Sequence, residues 1–457
     1  MNRRRFLELA AFSSPLIAGC TSQPGQPSET DASTDSPTDD HTVTATFTAS
    51  LSDTPTATEE PTPTSRENPD TISVGPDGVD GNSGTETEPL ASIQAALNRA
   101  GPGETILVKP GEYREELITR RSGESGNPIT ITGPPGAVVR QPDSEAKRRI
   151  LDIVHSHIHL NGLTLNGLAI PEDSQDPDAY SRKLINIQPP TWEDSYPDYL
   201  TDIKIKPHAI GNARYAMVGT IRTNNAEFGE FEIIGPAGTK YLYGDESGHN
   251  GEIVLLGTDH THMEADWYPW DEPDLSHNNH VHHIANLAGY SHTELVEVNQ
   301  GMYDVTIEYC TDLGGSGRYF LNEDVPRWEE TAMGLGGSQT TLRWNVIENG
   351  FGSGIQIGTF PGLNENLEYY EDIPDERFPG KHNAVYGNRI IDNESLAIAF
   401  PGVLYDGAEF NNRPEDQHVI CGNEYNGDTQ ADPDKPCSED IPETDTIGHL
   451  GGDSPWT

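Results

Sequence analysis

The chain has 457 residues, of which 28 are Lys or Arg and 74 are Asp or Glu, giving a formal net charge of −46. The carboxylates are scattered rather than gathered in blocks, so the acidity belongs to a surface, and a surface of this sign excludes nucleic acid as a partner. Only 33% of the residues are apolar, and beyond the N-terminal segment no stretch reaches membrane-spanning length.

The chain opens MNRRRFLELAAFSSPLIAGC. Arg3, Arg4, Phe6 and Leu7 match the pattern of twin-arginine export signals, and Ile17-Ala18-Gly19-Cys20 resembles a lipobox. Residues 1–20 are therefore expected to be a signal with Cys20 as the lipidated residue. That lipid would be the only attachment to the membrane, with the protein outside the cell. Residues 21–68 are Thr, Ser, Pro, Asp and Glu with few large apolar side chains. They cannot bury enough surface to offset their ordering entropy and read as a disordered stalk.

Residues 69–450 read as one folded, monomeric domain. A helix is expected over Leu90–Ala100, with Leu90, Ile93, Ala96 and Leu97 on one face and Gly101-Pro102-Gly103 ending it. After it come short strands broken by Gly, Asn and Pro, among them "ETILVKPGEYRE", "NPITITGPPGAVV", "SHIHLNGLTLNG" and "GEIVLLGT". The later strands "DVTIEYCTDLGG", "TTLRWNVIENG", "NAVYGNRIIDN" and "HVICGNEYNG" align Cys310 with Asn345, Asn388 and Asn423, at separations of 35, 43 and 35 residues. Uneven spacing over a constant pattern fits a coil of fixed size carrying loops of variable length. The fold class expected is an all-β, right-handed parallel β-helix with a short capping helix. Insertions at 318–331, 361–381 and 402–416 would lie on one side of it. Outside the cell a disulfide is permitted, and Cys421 with Cys437 is the nearest pair in sequence. Cys310 is then a buried, unpaired thiol.

Alternation along the strands places Val296 and Val298 inside, with Glu297 and Asn299 outside and Glu294 at the strand entrance. It likewise places Val305, Ile307 and Leu342 inside, and Asp304, Thr306, Glu308 and Arg343 outside. Residues 260–292 hold seven of the sixteen histidines, together with Trp267, Tyr268, Trp270 and Tyr290. Aromatic faces beside carboxylates and imidazoles suit sugar rings. His280 and His282, two apart, share a strand face, a spacing open to metal ligation or to a base beside its partner. Stacked coils would bring Arg318, Tyr319, Arg327 and Trp328 toward this region.

The stretch from Ile72 to Val139, with its G-E-T-I-L-V-K-P-G-E-Y core, resembles the opening of secreted β-helix proteins of the pectate-lyase-like superfamily. "SHTELVEVNQ" is similar to the coil of chondroitinase-B-like and alginate-lyase enzymes that reads E-x-x-x-V-K-S. That resemblance implies a Ca²⁺-binding role for Glu294, extended here to Glu297, while the family's catalytic Lys position holds Asn299, which cannot act as a base. The surface composition looks like that of proteins from salt-loving archaea. Together these features point to a cell-surface polysaccharide lyase acting on a uronate-containing polymer with Ca²⁺. Its catalytic groups would come from His280, His282, Glu297, Tyr290, Arg318 and Arg343, and its substrate contacts from Trp267, Trp270, Tyr303, Asp304, Arg327 and Trp328. Two alternatives stay open. One is a glycoside hydrolase using paired carboxylates, Glu297 with Asp304 or Glu264 with Asp266. The other is a non-catalytic glycan-binding surface protein.

Overall fold

The computed structural model describes residues 70–432 except 143–148, 170–174, 194, 244–249, 259–264, 266–267, 289, 315–330, 359–369, 371–372 and 401–411, together with Cys437 and Ile441. These residues all lie in one unit, Thr62–Thr457. Cys20, Glu264, Asp266, Trp267, Arg318, Tyr319, Arg327 and Trp328 fall outside the described residues, as does most of each long insertion.

The strands stack, coil upon coil, into the parallel β-helix expected from the sequence. Three ribbons of parallel strands run along it. The first carries an inward column whose members are direct register partners: Ile72, Ile106, Ile131, Leu160, Ile205, Phe228, Val281, Ile307, Leu342, Val385 and Ile420. The third carries Leu117, Leu151, Ile185, Val218, Val254, Val296, Met333, Ile355 and Ile398 in the same way. All are buried. Burying each such side chain contributes roughly 1.5–3 kcal/mol, and the β-branched residues that dominate suit a pleated wall. Two long strands, Thr223–Ile233 and His277–Asn286, pass from the first ribbon into the second without a break, so those two ribbons form one 19-stranded sheet beside a nine-stranded one.

The corners are fixed by side-chain amides and by left-handed backbone. Asn345, Asn388 and Asn423 form a hydrogen-bonded ladder. The Asn345 amide donates to Asn388 Oδ1 at 3.0 Å, and the Asn388 amide donates to Asn423 Oδ1 at 3.0 Å. Cys310 ends the ladder, its backbone N–H donating to Asn345 Oδ1 at 2.9 Å. Asp202, Asn225, Asn278 and Asp304 all have φ of 53–54°, a conformation that Asn and Asp tolerate best among residues with a side chain.

The helix spans Ile93–Arg99, starting three residues later than expected. Leu90 is held as a bridge partner of Val74, and Ser92 caps the helix, its hydroxyl accepting from Ala95 N–H. The Glu115 carboxylate accepts from the Ile93 and Gln94 N–H groups at 2.9 Å each. Cys421 and Cys437 are disulfide-bonded, with Cα atoms 5.1 Å apart, and Cys310 is a buried free thiol.

Candidate functional site

On the nine-stranded sheet the outward column runs Asp152, Asn186, Gly219, Leu255, Glu297, Gly334 and Gln356. Glu252 and Glu294 stand at the entrances of two neighbouring strands, Val254–Leu256 and Val296–Val298. Ile253 N–H donates to Glu294 O at 3.1 Å, which locks the two coils in step. One carboxylate oxygen from each of Glu252, Glu294 and Glu297 therefore lies within 4.8 Å of the others.

Two glycines let neighbouring side chains lie close against this sheet. A methyl group at Gly334 would come within 3.4 Å of Glu297 Cγ and 3.5 Å of Glu294 Cγ, and one at Gly219 within 2.6 Å of Lys183 Nζ. The stems of Glu294 and Glu297 thus cover Gly334, and Lys183 covers Gly219. Glu252 is only 1% exposed and its Oε2 has no hydrogen-bond partner. Burial pushes its carboxyl pKa up, against the opposing pull of its own and Gly251 backbone N–H groups and of Lys183. Burial, reinforced by the Arg149 guanidinium, lowers the Lys183 ammonium to about 8, while Glu252 acts the other way. Arg149 itself holds Asp152 at 3.0 Å. A buried carboxylate oxygen without a donor, converging with two more carboxylates, is an all-oxygen set of the kind that suits Ca²⁺.

Asn299 corrects the alternation. It is buried at 3% exposure rather than outward, because the strand ends at Val298 and its backbone turns to donate to Leu256 O at 2.9 Å. Tyr290 is partly buried against the core, its N–H donating to Asn286 Oδ1 at 2.9 Å.

Among the described residues, His280, His282, Tyr303, Asp304 and Arg343 stand on the other sheet, and Trp270 lies in a loop. Residues expected to share one cleft are therefore divided between two faces, because the chain crosses from the third ribbon to the first between Val298 and Tyr303. The proposed carboxylate pair Glu297 with Asp304 is divided between the two sheets in the same way. Asp304 is exposed, at a left-handed corner. Tyr303 stacks on His277 with ring centroids 4.8 Å apart and lies under Arg377. Trp270 covers the buried Arg222, whose guanidinium carbon is 4.6 Å from its ring centroid.

On the first ribbon, His280, His282 and Arg343 do come together, joined by two residues that the sequence alone did not single out as site residues, Glu227 and Glu308. Glu227 is the register partner of His280, and Glu308 of both His282 and Arg343. His282 Nε2 lies 3.1 Å from Glu227 Oε1, and His280 Nε2 lies 3.0 Å from Glu308 Oε1. Arg343 Nε donates to Glu308 Oε2 at 2.7 Å. Burial works to raise the Glu227 carboxyl, but hydrogen bonds and charge from Lys206 and His282 hold it down to about 2.

No family model matches the chain. Over 110 residues, 23% of this chain, it is 29% identical to the uncharacterized protein YwoF of Bacillus subtilis (strain 168), and the match spans 24% of that protein's length. Among solved structures, an alginate lyase from Paenibacillus sp. str. FPU-7 superposes with a TM-score of 0.52 at 14% identity, covering 79% of this chain and 99% of that one. A pectate lyase, Pel9A, gives a TM-score of 0.47 at 13% identity, covering 81% and 82%. At such identities the likeness is one of fold, a parallel β-helix.

Proposed function

We propose that this protein is an extracellular polysaccharide lyase, tethered by a lipid on Cys20, that cleaves a uronate-containing polymer by β-elimination with Ca²⁺ at Glu252, Glu294 and Glu297. The observation that carries this reading is the convergence of those three carboxylates, with Lys183 in electrostatic contact with Glu252. Bound Ca²⁺ would neutralise the uronate carboxylate and so acidify the adjacent C–H. Lys183, where the Asn299 position offers no base, would accept the proton α to the carboxylate. The electron pair of that C–H becomes the new C=C bond as the C–O bond to the leaving sugar breaks. The leaving oxygen takes its proton from water. Arg149 supplies positive charge that an acidic polymer needs against a chain of net charge −46.

A second reading rests on Glu252. A carboxyl whose pKa burial raises, beside two further carboxylates, is the acid–base arrangement of a glycoside hydrolase.

The test is to incubate the protein in molar salt with acidic and neutral polysaccharides, with Ca²⁺ or with chelator, following ultraviolet absorbance and reducing ends together. Both rising only with Ca²⁺ is the result expected of the lyase. Reducing ends without absorbance assigns the hydrolase, and neither signal leaves a glycan-binding role.

A further inference from the structure

The first ribbon carries a cluster that the lyase reading does not use. Its geometry points to a second metal site, in which His280, His282 and Glu227 bind a divalent transition-metal ion of the Zn²⁺ class.

The donors come from two adjacent strands. Glu227 and His280 are direct register partners, and His282 lies two residues along on the same outward face. One ligand atom from each residue lies within 4.8 Å of the others. The imidazoles sit side by side, with ring centroids 4.4 Å apart. Two residues of a strand repeat every second position, so a His-x-His pair delivers both rings to one side without any bend in the backbone. The position opposite His282 is Gly229, where a methyl group would come within 2.9 Å of His282 Nδ1. That glycine gives the ring its place.

The surroundings hold the rings as a metal site needs. His282 Nδ1 and His283 Nδ1 are 2.9 Å apart, which engages the nitrogen facing away from Glu227. His280 is gripped by Glu308, itself fixed by Arg343. Glu227 now accepts Lys206 Nζ at 2.5 Å, and an arriving metal must displace that ammonium. Lys206 has a second partner in Glu230, at 2.8 Å, so releasing Glu227 does not strand its charge. Two imidazole nitrogens and one carboxylate form a borderline donor set that prefers Zn²⁺ to Ca²⁺. The all-oxygen trio on the other sheet has the opposite preference. The two sites therefore sort two kinds of cation, and this one stands whether or not the lyase reading does.

The probe is the metal alone. The full-length protein, freed of metal and held in molar NaCl with millimolar Ca²⁺, is titrated with Co²⁺ and then with Zn²⁺ against a chromophoric chelator. One equivalent of Co²⁺ is expected to give visible ligand-field bands, and Zn²⁺ to abolish them. His280→Gln, at the more exposed of the two rings, should weaken binding at least tenfold, and His282→Gln should do the same. Glu294→Gln should leave it unchanged. Circular dichroism on each variant separates lost ligation from lost fold. No bands, bands removed by Ca²⁺, or a Zn²⁺ equivalent that survives His280→Gln in a folded protein would each overturn the assignment.

Discussion

Lys183 lies across the bare backbone of Gly219, so close that a methyl group on that glycine would sit 2.6 Å from its ammonium and 3.3 Å from its last two methylenes. No positive φ constrains Gly219, so Gly219→Ala asks only that the end of a flexible side chain move. Misplacing a reacting group by about 1 Å costs on the order of 10²-fold. The variant should therefore melt within a few degrees of the parent yet lose about 10- to 100-fold in kcat, with Lys183→Met losing more. Full turnover in Gly219→Ala would remove Lys183 from the reaction.

Ca²⁺ should raise the melting temperature of the protein in molar salt, because it binds the folded trio alone. At about one hundred times the Kd the gain is about 2.7 kcal/mol. Glu294→Gln and Glu297→Gln should each shrink the shift, and Mg²⁺, which demands tighter octahedral geometry, should give less of it. Scanning calorimetry with Ca²⁺, Mg²⁺ and chelator reads this directly, and identical shifts for parent and Glu297→Gln would place the ion elsewhere.

The architecture was legible because it repeats. Val296 and Val298, Val305 and Ile307, and Leu342 all lie inside, as period-two alternation requires. The aligned Asn345, Asn388 and Asn423 are one ladder. Alternation failed at Asn299 because it holds only within a strand, and this strand ends at Val298. The site was harder to read because it is assembled across coils. Glu252-Ile253-Val254 and Glu294-Leu295-Val296 share one pattern, and stacking puts their glutamates together, yet they stand 42 positions apart in the chain. Lys183 and Gly219 come from two further coils, and no local motif announces them. Density of histidine pointed correctly to His280 and His282 as neighbours. It did not reveal that the turn after Val298 sends Tyr303 to a different face from Glu297.

Asp202 ties two histidines of the first ribbon, with His157 Nδ1 at 2.9 Å and His159 Nε2 at 3.0 Å. Burial acts to raise its pKa, but the bonds from the two rings outweigh it and the net shift is downward. A carboxyl depressed on folding stabilises the protein above its unfolded value, about 3.9. That contribution fades as pH falls through the lower folded value. Asp202→Asn should accordingly cost up to about 1 kcal/mol at neutral pH, the net scale of a hydrogen bond to a partly exposed carboxylate. The gap from the parent should close in acid. Urea melts from pH 7 down to 3 test this, and a gap that widened toward acid would reverse the sign assigned to Asp202.

Asn388 is the middle rung of the corner ladder, and its loss should be the most damaging single polar change in that ladder. Its amide donates to Leu342 O at 2.9 Å, Tyr386 O at 3.1 Å and Asn423 Oδ1 at 3.0 Å, while its Oδ1 accepts the Asn345 N–H and amide at 3.0 Å each. The residue is fully buried. Asn388→Ala therefore leaves carbonyls and an N–H stranded away from water, where each unmet group costs about 1–3 kcal/mol. Partial relaxation of the corner brings the expected total to roughly 3 kcal/mol. Asn423, at the half-buried end of the ladder, has fewer partners to strand, and Asn423→Ala should cost about half as much. Asn388→Asp keeps the acceptor but turns the donor to Leu342 O and Tyr386 O into a carboxylate oxygen, so it should be no milder than alanine. Chemical denaturation of the three variants orders them. If Asn423→Ala proved as costly as Asn388→Ala, the corner would owe its stability to backbone geometry rather than to the stacked amides.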